Sequence, residues 1–409
     1  MLNFIWVFFF LSAFATAAFK LLALGDTQVF SDLMNAMFSL SKTAFDISLG
    51  LSGVLALWLG IMKIGEHSGF IGLLTKALNP LFSRLMPDIP RDHPALGAMV
   101  MNIAANMLGL DNAATPMGIK AMQEMQTLNP HPERATDAQI LFLVINTSSV
   151  TLFPVTIFAY RAQLGAANPT DVFIPILIAT YMSTLTGFLA VATVQKINIM
   201  DRVVIAYLSG ITALVGGILA YFSSLDQVQM LQQSALLSHV ILFSLVISFI
   251  AAAAYKRLNV YELFVEGAKQ GFQTAFSIIP YLVAMLVAFG VFRASGALNL
   301  ITDGARLLVN FCGVDDRFID GLPTALMKPF SGSGARAMMI DTMQTHGADS
   351  FAGRLASVVQ GSTETTFYVL AVYFGAVNIK QIRHAAACGI VADLGGMIAA
   401  ILVTYWFFG

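Results

Sequence analysis

Four short polar segments interrupt apolar stretches of the chain, and they carry the residues that could bind a solute. Six of the seven residues in Gln360–Thr366 are polar, so their side chains point around a whole helix and some must face a cavity. An isolated Ser or Thr would more often bond the preceding turn. We predict that the solute-binding residues are Asn102, Asn106, Asn146, Thr147, Ser148, Ser149, Lys328, Ser331, Ser333, Arg336, Gln360, Ser362, Thr363, Glu364 and Thr365.

Glu364 is the strongest single candidate for a functional residue. A carboxylate in the middle of a span costs several kcal/mol unless it is paired, protonated or hydrated. We expect Lys328 or Arg336 as its partner, either in ion coupling or in a structural ion pair that braces the segment. Asp111 is the matching acid of the first half, and it either couples an ion or caps the helix that follows it. Asp46 and Asp393 are interpreted as structural.

The sequence offers no constellation for catalysis, a metal or a cofactor. The six histidines form no metal-binding spacing, no GxSxG elbow occurs, and Cys312 and Cys388 lie far apart. The SGSGAR segment lacks the Lys-Ser/Thr ending of a phosphate-binding loop, so its glycines are interpreted as turning the chain. The helix after it, beside Arg336, would favour an anion. We predict neither an enzyme nor a cofactor.

Composition sets the class of protein that must position these residues. The 409 residues are 57% hydrophobic and 11% charged, with a mean hydropathy of +0.76, against about 45–50% apolar and about 25% charged in a soluble domain. This balance excludes a nucleic-acid binder, a disordered protein and an ordinary cytosolic enzyme. At about 20 residues for each crossing, the chain has apolar stretches for roughly eight full spans, so we predict an all-α integral membrane protein.

The apolar stretches locate the predicted spans. Met1–Leu24 has no basic region before it and is interpreted as a retained span, with a cleaved signal as the alternative. We expect a short amphipathic helix at Phe30–Lys42 and re-entrant hairpins at Pro94–Leu110 and Leu322–Gly334. The further predicted spans, two of them interrupted by polar residues, are Phe45–Ile64, Ala138–Tyr160, Val172–Val194, Val203–Phe222, Ala235–Tyr255, Gln273–Val291, Leu355–Phe374 and Ala385–Phe408.

The two halves of the chain resemble each other. Ser68–Leu74 (SGFIGLL) matches Ser295–Ile301 (SGALNLI), and Ala138–Tyr160 aligns without gaps on Ala352–Phe374. An odd number of crossings between the two copies inverts the second. We therefore predict an N-terminal span with an amphipathic helix at residues 1–42, a first repeat at 43–200, linker spans at 201–258 and a second repeat at 259–409.

The basic residues of the loops predict the orientation. Thirteen lie on the side reached after Phe45–Ile64 and six on the other, although Arg293, Arg306 and Arg317 oppose the bias. Because basic loops stay in the cytoplasm, we predict a multi-pass protein of the bacterial inner membrane with a cytoplasmic N-terminus.

Three long segments resemble known families. Asn112–Pro130 (NAATPMGIKAMQEMQTLNP) is similar to spore maturation protein A, whereas Lys328–Met343 (KPFSGSGARAMMIDTM) and Gln360–Ala385 (QGSTETTFYVLAVYFGAVNIKQIRHA) are similar to spore maturation protein B. The chain therefore looks like a fusion of the two. Both families carry the nucleoside-recognition Gate domain, which resembles parts of concentrative nucleoside transporters and of ferrous-iron transport protein B.

The resemblance implies two Gate-type repeats, a membrane location and a transporter-like core. In the distant relatives, hairpin tips and the unwound helices opposite them hold the solute. Applied to this sequence, the resemblance implies which residues hold the solute. They are Asn102, Asn106, Ser331 and Ser333, with Asn146–Ser149 and Gln360–Thr366. Lys328 and Arg336 beside Glu364 suit a charged or zwitterionic solute better than a nucleoside.

Inverted repeats with broken helices are typical of secondary transporters, which bind their substrates near the midplane. We expect alternating-access transport of a small polar solute, anionic or zwitterionic. The alternative is a non-transporting membrane scaffold or a ligand-sensing regulator. The expected partners are the solute, the lipid bilayer and a second copy in a possible homodimer, with no nucleic acid.

Overall fold

The computed structural model describes residues 2–90, 92–108, 111–148 and 151–409, without the side chains of residues 2 and 111–113. Regular structure in these residues is helical. In chain order the helices are α1 (Leu2–Leu24), α2 (Val29–Ser68), α3 (Phe70–Leu85), α4 (Pro94–Met107), α5 (Asp111–Gln126), α6 (Asp137–Thr147), α7 (Val155–Gln163), α8 (Phe173–Gln195), α9 (Arg202–Ser223), α10 (Gln227–Tyr255), α11 (Val260–Ala294), α12 (Ala297–Phe311), α13 (Leu322–Met327), α14 (Gly332–His346), α15 (Phe351–Ser362), α16 (Thr366–Gly375) and α17 (Ala385–Phe408).

Among the described residues, seven helices are long and apolar enough to cross a bilayer. They are α1, α2, α8, α9, α10, α11 and α17. Two interrupted helices add to these, α6–α7 and α15–α16, at the two positions where polar residues predicted a break. The prediction of an all-α integral membrane protein with broken helices is confirmed.

The long helix α2 shows that one prediction was wrong. Phe30–Lys42 and Phe45–Ile64 are parts of a single 40-residue helix, α2, rather than an amphipathic helix followed by a separate span. The polar residues near Lys42 suggested a boundary, but they include neither Gly nor Pro, and Ser48 bonds the carbonyl of Ala44 four residues earlier without ending the helix. Similarly, the predicted span Gln273–Val291 extends to the 35 residues of α11.

α2 and α11 pack closely along their length because small residues line the contact. A Cβ added at Gly271 would lie 2.6 Å from the Cα of Ala56, and one at Gly267 would lie 2.9 Å from the Cα of Gly60. Only glycine permits this approach of the two backbones. Among the described residues, these are the two longest helices, with 40 and 35 residues.

Each of these long helices ends at a Ser-Gly pair and turns into an amphipathic helix. Gly69 (φ 95°) lies between α2 and α3, and Gly296 (φ 86°) lies between α11 and α12, in the left-handed conformation that favours glycine. These are the segments SGFIGLL and SGALNLI. The internal match in the sequence therefore marks structurally equivalent corners, although the domain boundaries drawn from it stay predictions.

Two hairpins follow these corners. α4 and α5 form the first hairpin, and Asn102 holds its arms together by donating from Nδ2 to the carbonyl of Ala114 at 2.7 Å. α13 and α14 form the second, and Ser331 caps α14 by accepting a bond from the Gly334 N–H at 3.0 Å. The helical arms have 6 to 16 residues, fewer than the about 20 residues that a crossing needs. Both segments are therefore re-entrant, but the predicted bounds were too short. Pro94–Leu110 covers only the first arm, α4, and Leu322–Gly334 ends at the start of α14, whereas the hairpins extend to Gln126 and His346.

The two broken helices run in opposite directions. The segment before α6 contacts the segment after α16 through the exposed cluster, which is Glu133, Asp137, Lys380 and Arg383. The start of α15 and the segment before it contact the end of α7 and the segment after it through the buried cluster, which is Arg161, Asp171, Asp349 and Arg354. The start of each broken helix thus lies beside the end of the other, as inverted repeats require.

Candidate functional site

The breaks in the two helices meet. The Glu364 N–H, in the second break, donates to the carbonyl of Thr147, at the edge of the first, over 2.8 Å. Nearby, the Phe367 N–H donates to the carbonyl of Pro329 in the second hairpin at 3.0 Å. Backbone groups at membrane depth must find partners within the protein. The first of these bonds joins the two repeats, and the second joins the break to the hairpin of its own repeat. The breaks therefore position the polar segments against each other.

A central cavity of about 330 Å³ opens at this crossing. Its size falls at the lower end of the range for small-molecule sites, which is about 300–1,000 Å³. Both repeats contribute polar groups to its wall. The polar and aromatic residues that line the central cavity are Asn106, Thr115, Asn146, Thr151, Phe153, Thr156, Tyr160, Lys328, Arg336, Gln360, Thr363, Glu364, Tyr368 and Tyr373.

Three charged residues among the predicted site residues line the central cavity together. Lys328 is only 3% exposed and donates from Nζ to the carbonyl of Gln360 at 2.9 Å. The guanidinium of Arg336 lies over the ring of Tyr160, 5.7 Å from its centroid. Glu364 is partly exposed to the cavity. Among the described side chains, two cations thus share this cavity with a single carboxylate, so the described part of its wall carries an excess of positive charge.

The first repeat contributes amides. Asn106 donates from Nδ2 to Oδ1 of Asn146 at 2.8 Å, and Asn146 donates in turn to the carbonyl of Phe142 at 2.9 Å. Both asparagines line the central cavity. This chain of bonds holds the first hairpin against α6 and fixes the orientation of both amides.

Several predicted residues do not reach the central cavity. Thr147, Ser148 and Ser362 are buried, and each hydroxyl donates to a carbonyl of its own preceding turn at 2.8–2.9 Å. This is the ordinary arrangement of Ser and Thr in a spanning helix. Asn102 holds the hairpin arms together as described above. Ser149 and the side chain of Asp111 lie outside the described residues.

Ser331, Ser333 and Thr365 line a neighbouring side cavity of about 730 Å³. It adjoins the central cavity, because both are lined by Tyr160, Gly332, Arg336, Glu364 and Tyr368. Ser331 and Ser333 lie within 3.2 Å of each other at the start of α14. The predicted residues of the second hairpin therefore fall into two groups, with Lys328 in the central cavity and the serines beside it.

Sequence reasoning missed the aromatic residues of the wall. Tyr160, Tyr368 and Tyr373 carry both rings and hydroxyls, and Tyr373 lies 3.5 Å from the Asn102 amide. Aromatic residues are common in spanning helices as lipid contacts, so their type alone did not distinguish them. The usable signal was position, since all three lie on α7 or α16, the helical segments that follow the breaks.

The fold and the site define a multi-pass helical membrane protein whose two inverted units enclose a polar, charged cavity. The model of the Gate family, described as nucleoside recognition, matches residues 48–164 and 275–380, which make up more than half of the chain. The chain belongs to the Gate family. The two matched segments contain the two broken helices.

Two relatives match a third or more of the chain each. Spore maturation protein A of Bacillus subtilis (strain 168) is 46% identical over 152 residues, 37% of this chain and 78% of the relative. Spore maturation protein B of the same strain is 51% identical over 154 residues, 38% of this chain and 85% of the relative. The resemblance predicted from the sequence is confirmed. A solved structure, CNTnw in an inward-facing substrate-bound state, aligns over 97% of this chain and 90% of its own at 12% identity, with a TM-score of 0.40.

Proposed function

We propose that the protein transports a small polar solute across the membrane by alternating access, and that the solute is anionic or zwitterionic. The observation that carries this proposal is the central cavity at the crossing of the two breaks, with Lys328, Arg336 and Glu364 in one wall. A cavity built between inverted units can be closed towards either side by similar movements.

The charges of the cavity support the choice of solute. Lys328 and Arg336 bring two positive charges to the cavity, and Lys328 is nearly fully buried, where solvent screens its charge little. These charges would attract a carboxylate or phosphate group of a solute, and the amides of Asn106 and Asn146 would add hydrogen bonds. Glu364 would pair with an amino group of a zwitterion, or accept a proton or cation that is transported with the solute.

The alternative function is that of a non-transporting scaffold or ligand-sensing regulator. Its support is the buried cluster, which would hold one end of the cavity shut. Against it stand the short connections between helices, which offer little surface for a soluble partner. By the distribution of basic loop residues, we place the exposed cluster in the cytoplasm, the buried cluster on the outer side and the N-terminus in the cytoplasm of a bacterial cell.

The test begins with the purified protein. A thermal-shift screen across nucleosides, dicarboxylates and amino acids would identify a ligand, and uptake of that ligand into liposomes would follow. We expect Lys328→Ala and Arg336→Gln to lower uptake at least tenfold, because each removes a positive charge from the cavity. Lys42→Ala removes an exposed charge from α2 and is the matched control.

Two outcomes would contradict the proposal. Equal uptake by Lys328→Ala and Lys42→Ala would separate the cavity from transport. A ligand-induced thermal shift without any uptake would favour the sensing alternative. For Glu364, unimpaired and still ion-coupled uptake by Glu364→Gln would exclude that carboxylate from the coupling step.

A further inference from the structure

Asp393 is a buried carboxylate that the solute site does not use. It lies in α17 with no exposed surface, and it lines neither cavity. Its Oδ2 accepts a hydrogen bond from Thr366 Oγ1 at 2.7 Å, whereas Oδ1 has no partner among the described residues. A buried carboxylate oxygen without a partner is strongly unfavourable. Something other than the described protein groups must therefore satisfy it.

Two further oxygens in the same region lack partners among the described residues. They are Oγ1 of Thr363 and Oε1 of Gln360, whose residues are 1% and 8% exposed. Both belong to the second break and the turn of α15 before it. The unsatisfied atoms thus include a carboxylate, a hydroxyl and an amide oxygen, which are the hard oxygen ligands that alkali and alkaline-earth cations prefer.

The packing brings α17 directly against this break. Gly389, Asp393 and Gly396 lie on one face of α17, since they are spaced four and three residues apart. A Cβ at Gly396 would lie 2.6 Å from Cγ2 of Thr363, and one at Gly389 would lie 2.6 Å from Cγ2 of Thr366. The two glycines let the threonines of the break approach the helix on either side of Asp393. The carboxylate of Asp393 therefore lies between the two threonines along α17.

We propose that Asp393, Thr363 and Thr366, with Gln360, bind a monovalent cation, and that this cation is Na⁺. A single carboxylate with neutral oxygens matches a single positive charge. The described residues contain no group of three or more His, Cys, Asp or Glu that would hold a metal ion, which disfavours a divalent cation. Lys328 bonds the carbonyl of Gln360, and its positive charge beside the site opposes a divalent ion more than a monovalent one.

A proton is the competing occupant of Asp393. It would neutralise the carboxylate and satisfy Oδ1 through one bond. It would serve Oδ1 alone, whereas the proposed cation would also take Thr363 Oγ1 and Gln360 Oε1 as ligands. The number of unsatisfied oxygens therefore favours Na⁺.

The site would connect an ion to the solute cavity. Thr363 and Gln360 also line the central cavity, and Glu364 is the next residue of the break. Binding of Na⁺ would hold the break against α17 and so fix the positions of these lining groups. This coupling rests on the proposed function, but binding of the ion itself does not.

The test measures Na⁺ binding without any solute. The melting temperature of the purified full-length protein would be recorded during titration of NaCl into choline chloride at constant ionic strength. We expect a saturable rise of a few degrees with Na⁺, since a ligand that binds only the folded state stabilises it. Asp393→Asn should abolish the rise, whereas Asp46→Asn, which changes an exposed acid of α2, should retain it.

Thr363→Val removes one hydroxyl and leaves every charge in place. It provides a second test if the Asp393→Asn variant does not fold. We expect it to raise the Na⁺ concentration at half-maximal stabilisation about tenfold, because one ligand oxygen is lost. No difference between NaCl and choline chloride would overturn the proposal, as would a stabilisation by low pH that Na⁺ does not affect. Saturable Na⁺ binding in a protein that shows no uptake would leave the site standing and reject the transport function alone.

Discussion

The exposed and buried clusters join equivalent elements of the two repeats, yet they differ in their burial. Arg161 of the buried cluster has no exposed surface, and it donates to Asp171 at 2.8 Å, to Asp349 at 3.1 Å and to the carbonyl of Ala348 at 2.7 Å. Lys380 and Glu133 of the exposed cluster are 70% and 64% exposed. The same connection between repeats is therefore strong at one end of the molecule and weak at the other.

The physical cause of this difference is solvation. An ion pair in water is screened and contributes about 0–1 kcal/mol. A buried pair is not screened, and removal of one partner leaves an uncompensated charge at a cost of about 3–5 kcal/mol. The two repeats thus make equivalent contacts at both ends, but the contacts differ in energy. We expect the repeats to separate first at the end that carries the exposed cluster.

The largest effect is expected for Arg161→Ala. It would leave Asp171 buried at 8% exposure beside Arg354 alone, so we expect a loss of about 3–5 kcal/mol in the free energy of unfolding. Denaturation in detergent would measure it. Arg161→Lys keeps the positive charge but lacks the planar, forked donors of a guanidinium. Its free energy of unfolding should lie between those of the unaltered protein and of Arg161→Ala. A loss below about 1 kcal/mol would show that the buried cluster is no stronger than a surface pair.

An intermediate effect is expected for Asp349→Asn. Its carboxylate is 35% exposed, pairs with Arg161 and accepts the Ala167 N–H at 2.8 Å. Arg161 keeps Asp171, so we expect a loss of about 1–2 kcal/mol. In the double variant with Arg161→Ala, the two losses should not add, because both variants remove one shared interaction. Strict additivity would mean that the cluster does not act as a unit.

A smaller effect is expected for Arg383→Ala in the exposed cluster. This residue pairs with Asp137 at 2.7 Å and donates to the carbonyl of Ala135 at 3.0 Å, with 29% of its side chain exposed. We expect a loss of about 0.5–1 kcal/mol, reduced by salt. Lys380→Ala is the matched control, since its pair is more exposed and should contribute almost nothing. A loss equal to that of Arg161→Ala would remove the difference between the clusters.

The smallest effect is a pH dependence at the exposed cluster. His384 precedes α17 and accepts a bond from Gln195 Nε2 at 3.0 Å, and partial burial together with nearby Arg383 lowers its pKa. As the pH falls below about 6.5, the ordinary pKa of histidine, His384 of the unfolded chain takes up a proton before His384 of the folded protein does. The free energy of unfolding therefore declines as the pH falls from about 6.5 to the lower pKa of the folded state. Melting temperatures from pH 7.5 to 5.5 would show the decline, and His384→Gln should reduce it.

The sequence predicted the breaks but not their surroundings. Polar runs at Asn146–Ser149 and Gln360–Thr366 stand out in apolar helices, and Pro154 cannot continue a helix, so both breaks were visible. The joining of Phe30–Lys42 to the next span was missed, because a few polar residues do not end a helix that is packed along its length. Residue spacing says which side chains share a face, whereas the wall at Tyr160 depends on contacts between the repeats.

The continuous helices α2 and α11 carry a consequence for the choice of lipid. At about 1.5 Å for each residue, they are about 60 and 52 Å long, whereas the hydrocarbon core is about 30 Å thick. Such helices must lean steeply or project beyond the bilayer. The acyl-chain length of the lipid would therefore alter the tilt of both helices. A membrane of unsuitable thickness would strain the glycine-lined contact at Gly267 and Gly271 before it affected the central cavity.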